Sequence, residues 1–233
     1  MRICYLGPPG RQERLQAFAG PETEIVARTI VGGPESIESV YEEFLSAALL
    51  MDEVVALERE GFDAVIPGCF GDPGVDGARE LVRIPVIGPG LAGMMTASLL
   101  GHRYGIVVPL EGDVRPTESL AIHHGYDQKL AGVRPLGVAV LEMNADLGKT
   151  LEHLADVCRL LIEQDRADVI VLGCGTLSFR AEELQTVIGV PVVNPLRVAI
   201  NLCEMLVSMS LSHSKRSYPV PPKFLAAASR GVG

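Results

Sequence analysis

The chain has 233 residues, 48% of them apolar, enough to fill the core of one large α/β domain or two small ones. Its net charge of −9 opposes binding to a polyanion, because nucleic-acid affinity depends on basic residues that neutralise phosphates; no nucleic-acid partner is expected. No apolar run reaches the roughly 18 residues of a membrane span, and the opening MRICYLGPPG lacks the apolar stretch of a signal peptide, so we expect a cytoplasmic protein with no membrane contact.

In chain order, residues 2–7, 23–30, 63–68 and 85–88 read as β-strands. Between the second and third lies a long helix opened by Gly33, Pro34 and Glu35, whose residues Ile37, Val40, Tyr41, Phe44, Leu45 and Ala48 form one stripe of a 3.6-residue period. That stripe predicts packing on a sheet, and the run Glu38, Glu42, Glu43 predicts the solvated face. The second half repeats the plan, with strands at 104–109, 137–143, 167–173 and 191–194 and a helix over 146–163 carrying Leu147, Leu151, Leu154 and Cys158. Continuous apolar strands alternating with helices imply parallel sheets covered on both faces, so the fold class is α/β.

The halves also correspond residue by residue. FDAVIPGC aligns with ADVIVLGC when Asp63 is set on Asp168, and this puts Cys69 on Cys174; IPVIGP at 84–89 then matches VPVVNP at 190–195 with one inserted residue. Two blocks in the same order at nearly the same spacing indicate an internal duplication. We therefore expect two pseudo-symmetric lobes, residues 1–98 completed by 195–233 and residues 99–194, with the site in the cleft between them. The remaining tail, residues 212–233, has prolines and basic residues but no chemical motif, and reads as an extended or frayed end or a partner contact.

The cysteines carry the chemistry. Five of them, widely spread and without a Cys-x-x-Cys pair, argue against a disulfide framework and structural zinc. Cys4, Cys158 and Cys203 lie inside strand or helix patterns and read as core. Cys69 and Cys174 instead follow strand ends in glycine-rich turns, where free N–H groups and a helix start would lower a thiol's pKa. The N–H groups of Phe70, Gly71, Gly175 and Thr176 are candidate donors to an enolate. Two thiols facing one carbon suit stereoinversion: one removes a proton next to a carbonyl, the other returns one to the opposite face. Asp72 reads as a side-chain cap for the helix near Pro73, while Ser36 has both a capping and a substrate-contact reading. The histidines have no partners at metal-ligand spacing, and neither LGPPG nor LGCGT matches a nucleotide-binding loop, so no metal and no cofactor are expected.

These stretches resemble the aspartate/glutamate racemase superfamily and, more closely, its hydantoin racemase branch, which includes allantoin racemases. GCFGDPG around Cys69 is similar to that branch's first cysteine motif, GGPESIE at 32–38 to its helix start, and ASLLGHRYGIVV to the passage opening its second lobe; VLGCGTLSF resembles the superfamily's second cysteine motif. The resemblance implies cofactor-independent racemisation of a small molecule at the carbon between ring nitrogen and carbonyl, with Cys69 and Cys174 as the acid/base pair, and self-association into a homo-oligomer. Two loops depart from the pattern. Gly7, Pro8, Pro9 and Gly10 stand where the family has Asn-Pro-Asn-Thr, and Val108 and Pro109 where it has Thr-Thr, which removes amide and hydroxyl donors from positions facing the cleft. Pro8 and Ser36 complete the expected substrate contacts. The same two cysteines would also serve an open-chain amino acid or dicarboxylic acid, and the altered loops leave room for a binding module without turnover.

Overall fold

Among the described residues seven strands build two parallel sheets, flanked by eight α-helices. The computed structural model describes residues 1–143 and 147–224. In chain order they are β1 (Arg2–Leu6), α1 (Gln12–Gln16), β2 (Glu24–Arg28), α2 (Val40–Arg59), β3 (Ala64–Pro67), α3 (Val75–Leu81), α4 (Pro89–Leu100), β4 (Tyr104–Val108), α5 (Val114–His124), β5 (Leu130–Pro135), α6 (Leu147–Glu163), β6 (Val169–Leu172), α7 (Ala181–Ile188), β7 (Val192–Val193) and α8 (Pro195–Ser208). The strand orders are β2-β1-β3 and β5-β4-β6-β7. Every pairing is parallel. β3, β4 and β6 are buried along their whole length, which is why they read as continuous apolar runs.

The internal repeat is visible in backbone bonds. Asp63 N–H donates to Arg2 carbonyl and Asp168 N–H to Arg103 carbonyl, both at 2.8 Å. The bridge from Val65 to Val86 corresponds to the pairing of Ile170 with Val192. The predicted strand at 85–88 shrinks to that single bridge, since Pro85 has no N–H to give and Pro89 already opens α4. α8 returns to the first sheet, where Leu196, Ile200 and Cys203 join Ile3, Tyr5, Ile25 and Ile66 in one core.

Three expectations are corrected. The strand predicted at 137–143 lies at Leu130–Pro135 instead; Gly137, in the left-handed region at φ 74°, turns the chain out of the sheet, and Val140 N–H is taken by the Glu38 carboxylate. The long helix starts at Val40, not at Gly33: Ser39 Oγ accepts Glu42 N–H, and the Glu42 carboxylate returns to Glu38 N–H and Ser39 Oγ. Its buried face is Ser46, Leu50, Val54 and Leu57, so the predicted stripe faces outward, with Tyr41 77% and Phe44 74% exposed. The phase is set by Leu50, Val54 and Leu57 of the later turns, which pack into the core of the first sheet with Cys4, Leu6 and Val65. Helix α6 matches its expectation from Leu147 onward; Asp146 lies outside the described residues.

The tail is stitched down where it is described. Lys215 Nζ donates to the carbonyls of Arg79, Glu80 and Val82, closing the C-terminus of α3, and Val86 N–H donates to His213 Nε2 at 2.9 Å. Residues 225–233 lie outside the described residues. Burial, with Arg79 and Lys215 nearby and Asp76 opposing, lowers His213 from its ordinary 6.5 to about 4. Protonation would also remove the lone pair that holds Val86. A depressed folded value means that this contribution is complete above pH 6.5 and is lost as pH falls through that window toward 4. We expect thermal melting between neutrality and mild acid to cost the wild type about 1 kcal/mol more than His213→Gln, after discounting for the ring's partial exposure. Identical acid sensitivity in both would remove His213 as the cause.

Among the described residues no helix is long and apolar enough to cross a membrane.

Candidate active site

Both cysteines stand at a strand end, one residue beyond a glycine. Gly68 N–H donates to Leu6 carbonyl at 2.6 Å and Gly173 N–H to Val107 carbonyl at 2.7 Å, so the loops after β3 and β6 leave their sheets in the same way. Neither cysteine is followed directly by an α-helix as expected. A turn separates Cys69 from α3, and a 3₁₀ turn over Leu177–Arg180 separates Cys174 from α7.

The two thiols border one cavity of about 420 Å³, walled on one side by the chain before α2 and on the other by the loop after β4. All eight sequence-predicted site residues reach it: Cys69, Cys174, Pro8, Ser36, Phe70, Gly71, Gly175 and Thr176. Their contributions differ. The Phe70 side chain is buried against Met94, Ile106 and Val108, so it fixes the loop from beneath. Thr176 N–H points at Cys174 Sγ at 3.4 Å, so it serves its own sulfur instead of standing free for an enolate. Ser36 lines the cavity, and the capping role belongs to Ser39. Pro109 lines it as well.

Asp72 caps, but not the helix beside it. Its carboxylate accepts Gly90 N–H at 2.9 Å and Leu91 N–H at 2.8 Å at the start of α4, while α3 is preceded by Gly74 in the left-handed region at φ 72°. His124 Nε2 stands 3.7 Å from the same carboxylate. Asp72 thus ties the Cys69 loop to a second helix.

The expected lowering of the thiols is outweighed. Burial pushes Cys69 up, with Gly71 N–H pulling the other way; burial likewise pushes Cys174 up, against Thr176 and Leu177 N–H and the Arg11 charge. Cys4, Cys158 and Cys203 are buried core thiols.

Four charged groups line the cavity: Arg11, Glu35, Glu43 and Asp113. Glu43, expected on the solvated face of its helix, turns inward instead, and none of the four was expected in the site. Arg11 donates from Nη1 to Tyr5 Oη at 3.0 Å and from Nη2 to Thr176 Oγ1 at 2.7 Å. Glu43 lies on the inner face of α2, one turn before buried Ser46, and burial and the neighbouring Asp113 both raise its pKa. The available signal was the spacing Glu43, Ser46, Leu50, Val54, Leu57, a second stripe hidden by its two polar members. Among the described residues no group of three or more His, Cys, Asp or Glu could hold a metal ion.

A family model described as Asp/Glu/Hydantoin racemase matches residues 11–203. The chain belongs to the Asp/Glu/hydantoin racemase family. It is therefore an isomerase of the racemase type. Among its relatives in this family, the hydantoin racemase of Pseudomonas sp. (strain NS671) is 32% identical over 215 residues, covering 92% of this chain and 86% of that one. The solved allantoin racemase of Pseudomonas fluorescens superposes with a TM-score of 0.91 at 37% identity, covering 95% of this chain and 97% of that one. The allantoin racemase of Klebsiella pneumoniae gives 0.90 at 30% identity, with 95% and 94% covered.

Proposed function

We propose that the protein is a cofactor-independent racemase of 5-substituted hydantoins or allantoin-like compounds, with Cys69 and Cys174 as its proton-transferring pair. One observation carries the reading: two thiols at repeat-equivalent strand ends border a single cavity in a chain of this family. The names of its relatives, hydantoin racemase and allantoin racemase, point to the ring.

In the proposed reaction one sulfur, as thiolate, takes the proton from the carbon between ring nitrogen and carbonyl. Charge moves onto the carbonyl oxygen, and the opposite thiol delivers its proton to the other face. Thiols raised by burial suit this task, because a weakly acidic carbon needs a strong base once the thiolate forms. Arg11 supplies donors to the oxygen where the altered Pro8–Pro9 loop has none. Pro8 and Ser36 bound the substrate, with the peptide groups of Phe70, Gly71, Gly175 and Thr176 forming the floor.

A second reading has its own support. Arg11 has no carboxylate partner among the described residues. An unpaired guanidinium beside a reactive thiol suits an open-chain amino acid or dicarboxylic acid. Single enantiomers of hydantoins, allantoin and acidic amino acids in deuterated water separate the two. We expect the substrate C–H signal in proton NMR and the optical rotation to decay together for the hydantoin class without added cofactor. Decay only with the acids transfers the function to the second reading; binding without exchange leaves a module that does not turn over. Self-association stays an expectation of the family resemblance.

A further inference from the structure

The cavity's unlike charges lie at opposite thiols. Arg11 reaches it from the turn after β1, and Gly175 leaves the room: a Cβ there would come within 2.7 Å of Nη1. Through Thr176 the guanidinium is one hydrogen bond from the residue whose N–H meets Cys174 Sγ. Across the cavity Glu43 takes the corresponding place. Its carboxylate fills the space left by Gly71, and a Cβ on Gly71 would also stand 3.8 Å from Cys69 Sγ. Each glycine thus admits a charge beside its cysteine, and the charges are opposite in sign.

The surroundings of the sulfurs differ in the same sense. Cys69 faces Glu43, Asp72 and Cys174. Cys174 meets Thr176 N–H, and its nearby charge is Arg11, which is bonded to the Thr176 hydroxyl. The Tyr5 phenol, which accepts from Arg11, is a titratable neighbour of both thiols; Asp113 stands behind Glu43, and Glu35 lines the cavity on the chain before α2.

We infer that this charge axis ranks the two thiols: Arg11 makes Cys174 the first to ionise, and Glu43 holds Cys69 protonated as its partner acid. The inference rests on the two-thiol reading of the cavity but not on the identity of the substrate. On ionisation the Cys174 proton leaves to solvent, and the Cys69 proton is the one available for return to carbon. Mirror-image substrates have equal free energy in solution, so the ranking favours neither enantiomer in kcat/KM. It appears instead in the protonation of the two thiols without substrate, where Arg11, besides its place at the substrate oxygen, and Glu43 act through sulfur.

The test is iodoacetamide labelling without substrate over a range of pH, with each cysteine followed separately by mass spectrometry. The midpoint of the pH profile is read, not the rate at one pH, so that unequal access to the sulfurs does not enter. Cys174 is expected to label with a midpoint below that of Cys69 by about one unit or more. Arg11→Gln should raise the Cys174 midpoint by about one unit while Arg11→Lys, which keeps the charge, stays close to wild type. Glu43→Gln should lower the Cys69 midpoint and leave Cys174 nearly unmoved. Melting curves establish that each variant is folded; should Arg11→Gln fail to fold, the wild-type order together with Glu43→Gln decides. Cys69 titrating first, or midpoints indifferent to these substitutions, would overturn the ranking. Ordered labelling without any deuterium exchange would defeat the racemase reading alone, and exchange with unordered labelling would defeat the ranking alone.

Discussion

Cys69→Ser and Cys174→Ser should each lose stereoinversion by about 10²–10⁴-fold, the range associated with removing a positioned acid or base. A serine hydroxyl is too weak an acid to form an alkoxide in the cavity, so each variant keeps one competent face. The surviving thiol can still remove the proton on its own side and return a solvent-derived one to the same side. Each variant should therefore exchange the C–H of one enantiomer for deuterium without inverting it, and the two variants should act on opposite enantiomers. Mixing them should restore nothing, because both sulfurs border a cavity within a single chain. Chiral chromatography coupled to mass spectrometry reads exchange and inversion in the same sample. Full inversion by either variant would defeat the two-thiol assignment, and exchange of the same enantiomer by both would defeat the opposed-face geometry.

The elements that sequence reading found are those whose surroundings are uniform. β3, β4 and β6 are buried on both faces, so nothing polar interrupts them, and the repeat linking FDAVIPGC to ADVIVLGC survives in matched backbone bonds. β5 escaped because it is an edge strand: LAGVRP carries a glycine and an arginine, and only Val133 is buried. GVAVLEM looks more strand-like but lies outside the sheet, closing over the cavity at Val140. The charged part of the site was hidden for another reason. Arg11 and Glu43 read locally as solvent-facing residues, and only the return of the chain 165 residues later brings Thr176 against Arg11. Local pattern reports the layer a residue belongs to; it does not report which distant loop will share its cavity. The cysteines were legible because the duplication made each a witness for the other.

The glycines that precede the cysteines should resist replacement. A Cβ on Gly68 would stand 2.7 Å from Leu6 carbonyl and from Tyr5 Oη; on Gly173 it would stand 2.7 Å from Val107 carbonyl and 2.8 Å from Val108 Cγ1. Each obstacle includes the backbone of the neighbouring central strand, which is held by pairings on both sides and cannot give way as a flexible side chain does. Gly68→Ala and Gly173→Ala should therefore destabilise by about 1–3 kcal/mol, toward the upper end, in denaturant titrations. Gly112→Ala, where a Cβ meets nothing within 4 Å, supplies the contrast and should stay within about 0.5 kcal/mol. Relief of the clash moves the loop that carries the thiol, and a displacement of about 1 Å costs on the order of 10²-fold in rate, so inversion should fall further than stability does. Equal stability of Gly173→Ala and Gly112→Ala would show that the strand carbonyl does not restrain the cysteine loop. Loss of stability with inversion intact would show that the loop moves without carrying the sulfur with it.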